Sequence, residues 1–339
     1  MNQPRPSAKV HQPRRTVSVI GTGSYLPERI LHNADLEKLV ETSDEWITSR
    51  TGIKERRIAA EGENTSDLAA KAALAALENA RITADQIDLI LVATVTPDMF
   101  FPSTACFVQT KIGAKNAACF DVSAACSGFL YALEIAQQFI SSRTHNTILI
   151  IGAERLSSIV DWSDRNTCVL FGDGAGAAIL QHRDTGEGIV STYMGSDGGL
   201  SDILWIPGGA SRFPITKDNA DQRLNCIKMN GKETYKHAIT SMLDAGNRAL
   251  ADAGLTIEDI ACIIPHQANL RIIEAIAQRM GVPMDRFVVN LDRYGNTSAA
   301  AIAIALDEAN RTGRMKTGDY VLLVVFGGGL TWGSSVIQW

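Results

Sequence analysis

An internal echo constrains the fold more than any other feature of the sequence. ALENARITADQIDLIL over 76–91 aligns without gaps on ALADAGLTIEDIACII over 249–264, an offset of 173. Ala76, Leu77, Ala80, Thr83, Ile87 and Ile90 match Ala249, Leu250, Ala253, Thr256, Ile260 and Ile263. Each copy reads as the end of a helix, a short turn and a buried strand. A second echo follows in the same order, VLFGDGAGAAIL over 169–180 against VVFGGGLTWGSSVI over 324–337. Two echoes in one order point to a duplicated supersecondary unit.

The rest of the chain fits that reading. Apolar runs rich in β-branched residues at 16–20, 87–95, 147–151, 260–264, 286–291 and 320–326 predict strands. Helical periodicity over 66–80 and 235–253 predicts helices between them. Strands alternating with helices imply βαβ units and an α/β fold, with mixed, mostly parallel sheets in layers. The expected organisation is an arm over 1–15, a first half over 16–185 and a second half over 186–339. A ligand pocket is expected at the seam between the halves.

Composition removes several function classes. A net charge of −5 argues against general nucleic-acid binding, which requires a strongly basic face. No apolar run reaches the roughly 18 residues that span a bilayer. The first 15 residues, MNQPRPSAKVHQPRR, carry four cations, no acid and no apolar core. They read as a disordered arm, or as a basic tail touching a partner, and not as a secretory signal. The six cysteines, at 106, 119, 126, 168, 226 and 262, show no CxxC spacing, so no zinc or dithiol site is expected. A reducing, cytoplasmic setting with free thiols follows.

One thiol differs from the others. Cys126 lies in DVSAACSGFLYALEIAQQFISS, ahead of apolar residues at helical spacing. A helix N-terminus presents unpaired N–H groups and partial positive charge, which favour the nucleophilic thiolate. Small neighbours from Ser123 to Gly128 leave room for a substrate; a buried structural thiol is the alternative. His266, in IIPHQANLRII, follows a predicted buried strand, where a hydrogen-bonded structural role is the alternative to chemistry. Asn296 lies in RYGNTSAA, where it, Thr297 or Ser298 could simply cap the next helix. The offset of 173 carries Cys126 onto Ala299, three residues past Asn296, so the two turns could meet at the seam. Gly327, Gly328 and Gly329 could offer N–H groups to an oxyanion or form a tight turn. Gly172, Gly174 and Gly176 suggest close packing, and Gly21 with Gly23 lacks the third glycine of a dinucleotide fingerprint.

Seven separated motifs carry a resemblance: TSDEWITSRTGIKERR (42–57), FPSTAC (101–106), DVSAACSGF (121–129), FGDGAGAA (171–178), IPHQANLRI (264–272), RYGNTSAA (293–300) and FGGGLTWGS (326–334). Together they resemble the β-ketoacyl-[acyl-carrier-protein] synthase III family, from about Val17 to Trp339. The resemblance implies a thiolase-like fold, a homodimer and an acyltransferase that starts fatty acid synthesis. The implied reaction condenses an acyl-CoA primer, acetyl-CoA for choice, with malonyl-acyl carrier protein, and requires no cofactor or metal. On that resemblance Cys126 carries the acyl group, and His266 and Asn296 complete the triad. Cys126 and Gly328 supply the oxyanion-hole N–H groups, and Phe326 packs against the cysteine. Trp46 and Arg165 flank the adenine of coenzyme A, with Arg50 near its nucleotide. Phe101 of a second subunit closes the acyl pocket. Lys236, Arg271 and Arg279 face the acidic carrier protein. A specialised condensing enzyme of polyketide or quinolone type would keep the same triad, and a non-catalytic scaffold subunit would be expected to lose it.

Overall fold

In this computed structural model, residues 16–184 and 186–339 are described; the arm expected over 1–15 lies outside them. In chain order the elements that build the core are β1 (Val17–Tyr25), α1 (Asp44–Thr51), α2 (Thr65–Ala80), β2 (Leu89–Ala93), α3 (Thr104–Ile112), β3 (Ala118–Val122), α4 (Gly128–Ser141), β4 (Thr147–Glu154) and β5 (Gly174–His182). After them come β6 (Gly188–Ser196), α5 (Gly231–Ala253), β7 (Ile260–Pro265), α6 (Leu270–Met280), α7 (Ala299–Arg311), β8 (Tyr320–Gly327) and β9 (Thr331–Gln338).

The strands form a five-stranded sheet ordered β1-β5-β4-β2-β3 and a four-stranded sheet ordered β6-β9-β8-β7. The two orders correspond strand for strand, apart from the fifth strand. Both sheets are mixed. β4, β2 and β3 pair in parallel, as do β8 and β7, whereas β1, β5, β6 and β9 join antiparallel. The parallel share is therefore smaller than the alternating pattern suggests. One cause is local: β8 and β9 are joined by a turn of a few residues, which permits only antiparallel pairing.

The first echo is a repeated piece of backbone. α2 ends at left-handed Arg81 (φ 56°) and α5 at left-handed Gly254 (φ 68°). Thr83 with Gln86, and Thr256 with Asp259, then form capping boxes on the short 3-10 turns that lead into β2 and β7. The strand expected over 286–291 does not form. Phe287 makes a single parallel bridge to Ile263. The backbone around it is held by a side chain: Gln267 Nε2 donates to Val288 O at 2.9 Å, and Gln267 Oε1 accepts from Asn290 N–H at 2.9 Å.

Helices α4 and α7 lie between the two sheets, in one apolar cluster that includes Leu91, Phe129, Leu133, Ile150, Ile302, Leu306 and Leu323. α7 (AAAIAIALDEANR) is buried nearly all round, as a central-layer helix must be. It lies so close to the first sheet that a Cβ on Gly176 would stand 2.6 Å from the Ala303 Cβ. α2 and α3 cover the outer face of the first sheet, and α5 and α6 that of the second. Each fully buried Leu or Ile in these layers stabilises by about 1.5–3 kcal/mol relative to exposure.

Candidate active site

The layered arrangement brings strand ends of one sheet against helix entries of the other. Cys126 lies in the 3-10 turn Ala125–Ser127 that leads into α4. His266 follows β7, with its N–H bonded to Val324 O at 2.8 Å. Asn296 is fixed beside Phe171, donating its N–H to Leu170 O at 2.8 Å. These three side chains and Phe326 line one cavity of about 1010 Å³.

Local sequence explains the fit. β8 ends against the cysteine turn, where a Cβ on Gly327 would stand 2.7 Å from Cys126 N, so only glycine fits. Ala125 and Ser298, on either side of the seam, take left-handed φ values of 46° and 50°. Such strain costs about 1–3 kcal/mol per residue and is characteristic of functional turns. The capping alternative for Asn296 is not realised: α7 has no side-chain cap, and Asn296 Oδ1 instead accepts Ser298 N–H at 2.8 Å. That leaves the Asn296 Nδ2 donor for the cavity. The structural alternative for His266 also lacks its hydrogen bond, because Nδ1 is buried without a partner among the described residues.

Burial dominates the electrostatics. Desolvation pushes the Cys126 thiol up to about 12; Ser298 opposes this, and the field of Glu154 adds to it. Burial thus outweighs the helix-end effect expected from the sequence. Burial alone lowers His266 to about 4, so its imidazole is neutral at pH 7. With no acceptor beside Nδ1, the neutral ring is better served by carrying its proton on Nε2.

At the cavity wall, Arg50 stands 4.9 Å and Arg165 4.7 Å from the Trp46 ring centroid. Trp46 and Arg50 line the cavity; Arg165 lies just outside, donating to Glu41 O at 2.8 Å. Arg271, in the first turn of α6, lines it too, together with Lys228 and Lys232, which the sequence pattern did not single out. Lys236 and Arg279 are exposed on α5 and α6, off the wall. A second cavity of about 240 Å³ opens on the other side of Cys126, between Ala125, Gly328, Ser298 and apolar side chains including Val95, Leu156 and Ile206. Phe101 lines neither cavity of its own chain and is 84% exposed. Glu154, wholly buried at the end of β4, was also missed; its one signal is an acid closing an otherwise apolar strand. Among the described residues no cluster of His, Cys, Asp or Glu has the makings of a metal site, and no helix is long and apolar enough to cross a membrane.

Comparison with known proteins identifies the family. Residues 120–198 match the family model "3-Oxoacyl-[acyl-carrier-protein (ACP)] synthase III", and residues 250–339 match its C-terminal model. The β-ketoacyl-[acyl-carrier-protein] synthase III of Caldanaerobacter subterraneus is 56% identical, over 95% of this chain and 97% of that protein. The crystal structure of the Aquifex aeolicus synthase III superimposes with a TM-score of 0.89 at 48% identity, covering 95% of this chain and 100% of that one. The priming β-ketosynthase of the R1128 polyketide pathway does so with a TM-score of 0.89 at 36% identity, covering 98% of each chain. The chain belongs to the β-ketoacyl-[acyl-carrier-protein] synthase III family of thiolase-fold condensing enzymes.

Proposed function

We propose that this acyltransferase primes fatty acid synthesis by joining an acyl-CoA, acetyl-CoA for choice, to malonyl-acyl carrier protein through an acyl-Cys126 intermediate. One observation carries the reading: Cys126 lies where two cavities meet, one rimmed with cations and lined by His266 and Asn296, the other apolar. The first suits an anionic, nucleotide-bearing donor and the arm of a carrier protein. The second suits an acyl chain.

In the first half-reaction the Cys126 thiolate forms a bond to the thioester carbonyl carbon, and the bond from that carbon to the coenzyme A sulfur breaks. The N–H groups of Cys126 and Gly328 hold the tetrahedral oxyanion. In the second, malonyl-carrier protein loses CO₂, and the freed electron pair becomes an enolate. His266 Nε2–H and Asn296 Nδ2–H donate to the enolate oxygen. The carbanion then attacks the acyl carbon, a C–C bond forms, and Cys126 leaves as thiolate. A neutral His266 suits this role, because its task is to donate a hydrogen bond.

Trp46, Arg50 and Arg165 hold the nucleotide of coenzyme A through stacking and ion pairing. Arg271, Lys236 and Arg279 receive the acidic carrier protein, and Phe326 packs against Cys126. The enzyme acts in the cytoplasm as a homodimer, in which Phe101 of one subunit closes the acyl cavity of the other; its exposure in a single chain supports this. The division into two copies near residue 185 belongs to the same reading.

The test is intact-mass spectrometry after incubation with acyl-CoAs of increasing length, followed by peptide mapping, with Cys126→Ala as control. A single adduct on the Cys126 peptide, absent in the variant, is the expected result. An adduct elsewhere, or equal condensation by the variant, would overturn the mechanism. The fastest-loading chain identifies the primer and separates a fatty acid enzyme from a specialised relative.

A further inference from the structure

Arg56 is the largest side chain that the fold buries completely, and it lines neither cavity at Cys126. It lies in a short antiparallel pair of strands, Arg29–His32 with Glu55–Ile58. Its guanidinium forks between separate stretches of the chain. Nη1 donates to Leu31 O at 3.2 Å and to Asn33 Oδ1 at 2.8 Å, and Nη2 donates to Val169 O at 2.8 Å. All three acceptors are neutral, and Nε is buried without a partner among the described residues. Burial lowers the group only to about 10, so it remains a cation at pH 7. A buried cation that faces neutral oxygens is costly, and an apolar side chain would fill the space without that cost. What arginine alone supplies is a planar fork that spans several fixed acceptors.

The stretch that the fork holds is the one that holds Asn296. Val169 leads into Leu170, whose carbonyl accepts the Asn296 N–H at 2.8 Å, and Gly172 N–H donates to Asn296 O at 3.1 Å. Asp173 N–H donates to Arg57 O at 2.8 Å, which ties the far end of this stretch to the strand of Arg56. The stem of Arg56 packs there as well. A Cβ on Gly172 would stand 3.0 Å from the Arg56 Cβ, and one on Gly295, just before Asn296, 3.2 Å from it. Both backbone polar groups of Asn296 are thus set by residues 170–172, and Arg56 backs that segment. The other end of the fork is anchored too: Asn33 Nδ2 donates to Asp44 Oδ1 at 2.7 Å and to Ile53 O at 2.9 Å.

We propose that Arg56 is a positioning residue for Asn296, clamping Val169 against Asn33 so that the Asn296 amide stands where its Nδ2 donates to the enolate oxygen. The proposal rests on the donor role given to Asn296 above. Arg56 touches neither substrate nor reacting atoms. An arginine that only stabilised the fold would, when replaced, impair both half-reactions alike. A positioning arginine affects the step that uses Asn296.

The experiment compares full-length wild type, R56M, R56K, N296A and R56M/N296A in single turnover. Coenzyme A release on acylation by acetyl-CoA reports the first half-reaction, and CO₂ release from malonyl-carrier protein by the acetylated enzyme reports the second. R56M is expected to slow CO₂ release about 10–100-fold, as a misplacement of up to about 1 Å would, with a much smaller loss in acylation. R56K keeps the cation and the stem without the fork, and should regain part of the rate. The double-mutant cycle decides: in the N296A background the change to Met should slow CO₂ release less than about 3-fold, because the group it positions is gone. An undiminished loss in that background, equal losses in the two half-reactions, or wild-type CO₂ release by R56M would each overturn the proposal. If R56M does not fold, R56K and R56K/N296A complete the same cycle. CO₂ release at the wild-type rate by N296A would instead sink the donor role of Asn296, and the proposal with it; N296A alone shows that, so the two failures are distinct.

Discussion

At the offset of 173 that relates the echoes, the two sheets agree in strand order and differ where they end. β2 ends on Ala93, and the matching position after β7 is His266. β4 ends on Glu154, and β8 ends on Gly327. Cys126 stands where the second copy has Ala299, the first residue of α7. The shared features (left-handed helix ends, capping boxes, strand order) are those needed to build a layer. The differing ones include the cavity residues Cys126 and His266. One region supplies a thiol and a buried acid; the other supplies a neutral imidazole, an amide and a glycine-only strand end. On the proposed function neither set performs acyl transfer alone, and the chemistry depends on the packing of one region against the other.

The sharpest way to break the comparison is to remove the donors of the second region while leaving the thiol of the first. His266→Ala and Asn296→Ala are each expected to lower malonyl decarboxylation about 10²–10³-fold, the effect of losing one preorganised donor. Acylation of Cys126 should fall much less. Rapid-quench measurement of CO₂ release against coenzyme A release checks this, and equal losses in both would contradict the division of labour. A smaller effect is expected from changing how the regions meet. Gly327→Ala puts a methyl group 2.7 Å from Cys126 N, so the nucleophile must move. A displacement of about 1 Å costs about 10² in rate. Both half-reactions should suffer, and the unfolding temperature should fall too, because the methyl group meets backbone and not a flexible side chain; an acylation rate within about 3-fold of wild type would show that the strand end does not position Cys126.

Much of this was legible in the sequence, and for physical reasons. The 76–91 echo could be read because a helix, its cap and a buried strand each leave a local pattern. The same holds for the cysteine turn, since small residues ahead of an apolar helix are contiguous. What escaped depended on distant contacts. The segment 286–291 has strand composition, but the Gln267 side chain takes its backbone bonds. Trp46 and Arg165, 119 positions apart, were joined by the family resemblance and by no local pattern, since they meet only through the fold. Arg57, which shares a motif with Arg50, turns away from the cavity to Glu55 and Pro27 O. Glu154 is one acid in a strand, and only its complete burial makes it notable.

The last prediction concerns stability, where the two regions carry opposite signs. Glu154 titrates at about 7 in the fold against an ordinary 4.5, so between these values the folded protein binds more protons than the unfolded chain. Its contribution therefore declines as pH rises through that window. His266 titrates at about 4 in the fold against 6.5, so there the unfolded chain binds more protons, and its contribution is lost as pH falls from 6.5 toward 4. Between about 4.5 and 6.5 the two slopes oppose each other. Each displacement corresponds to about 3 kcal/mol. Chemical denaturation across pH separates them by difference curves. The stability of E154Q minus wild type should climb by up to about 3 kcal/mol from pH 4.5 to 7 and then level off. For H266A minus wild type it should fall as pH rises from 4 to 6.5, because the variant lacks the wild-type gain. Difference curves of the same sign would mean that one of the two groups is not buried as the layered packing requires.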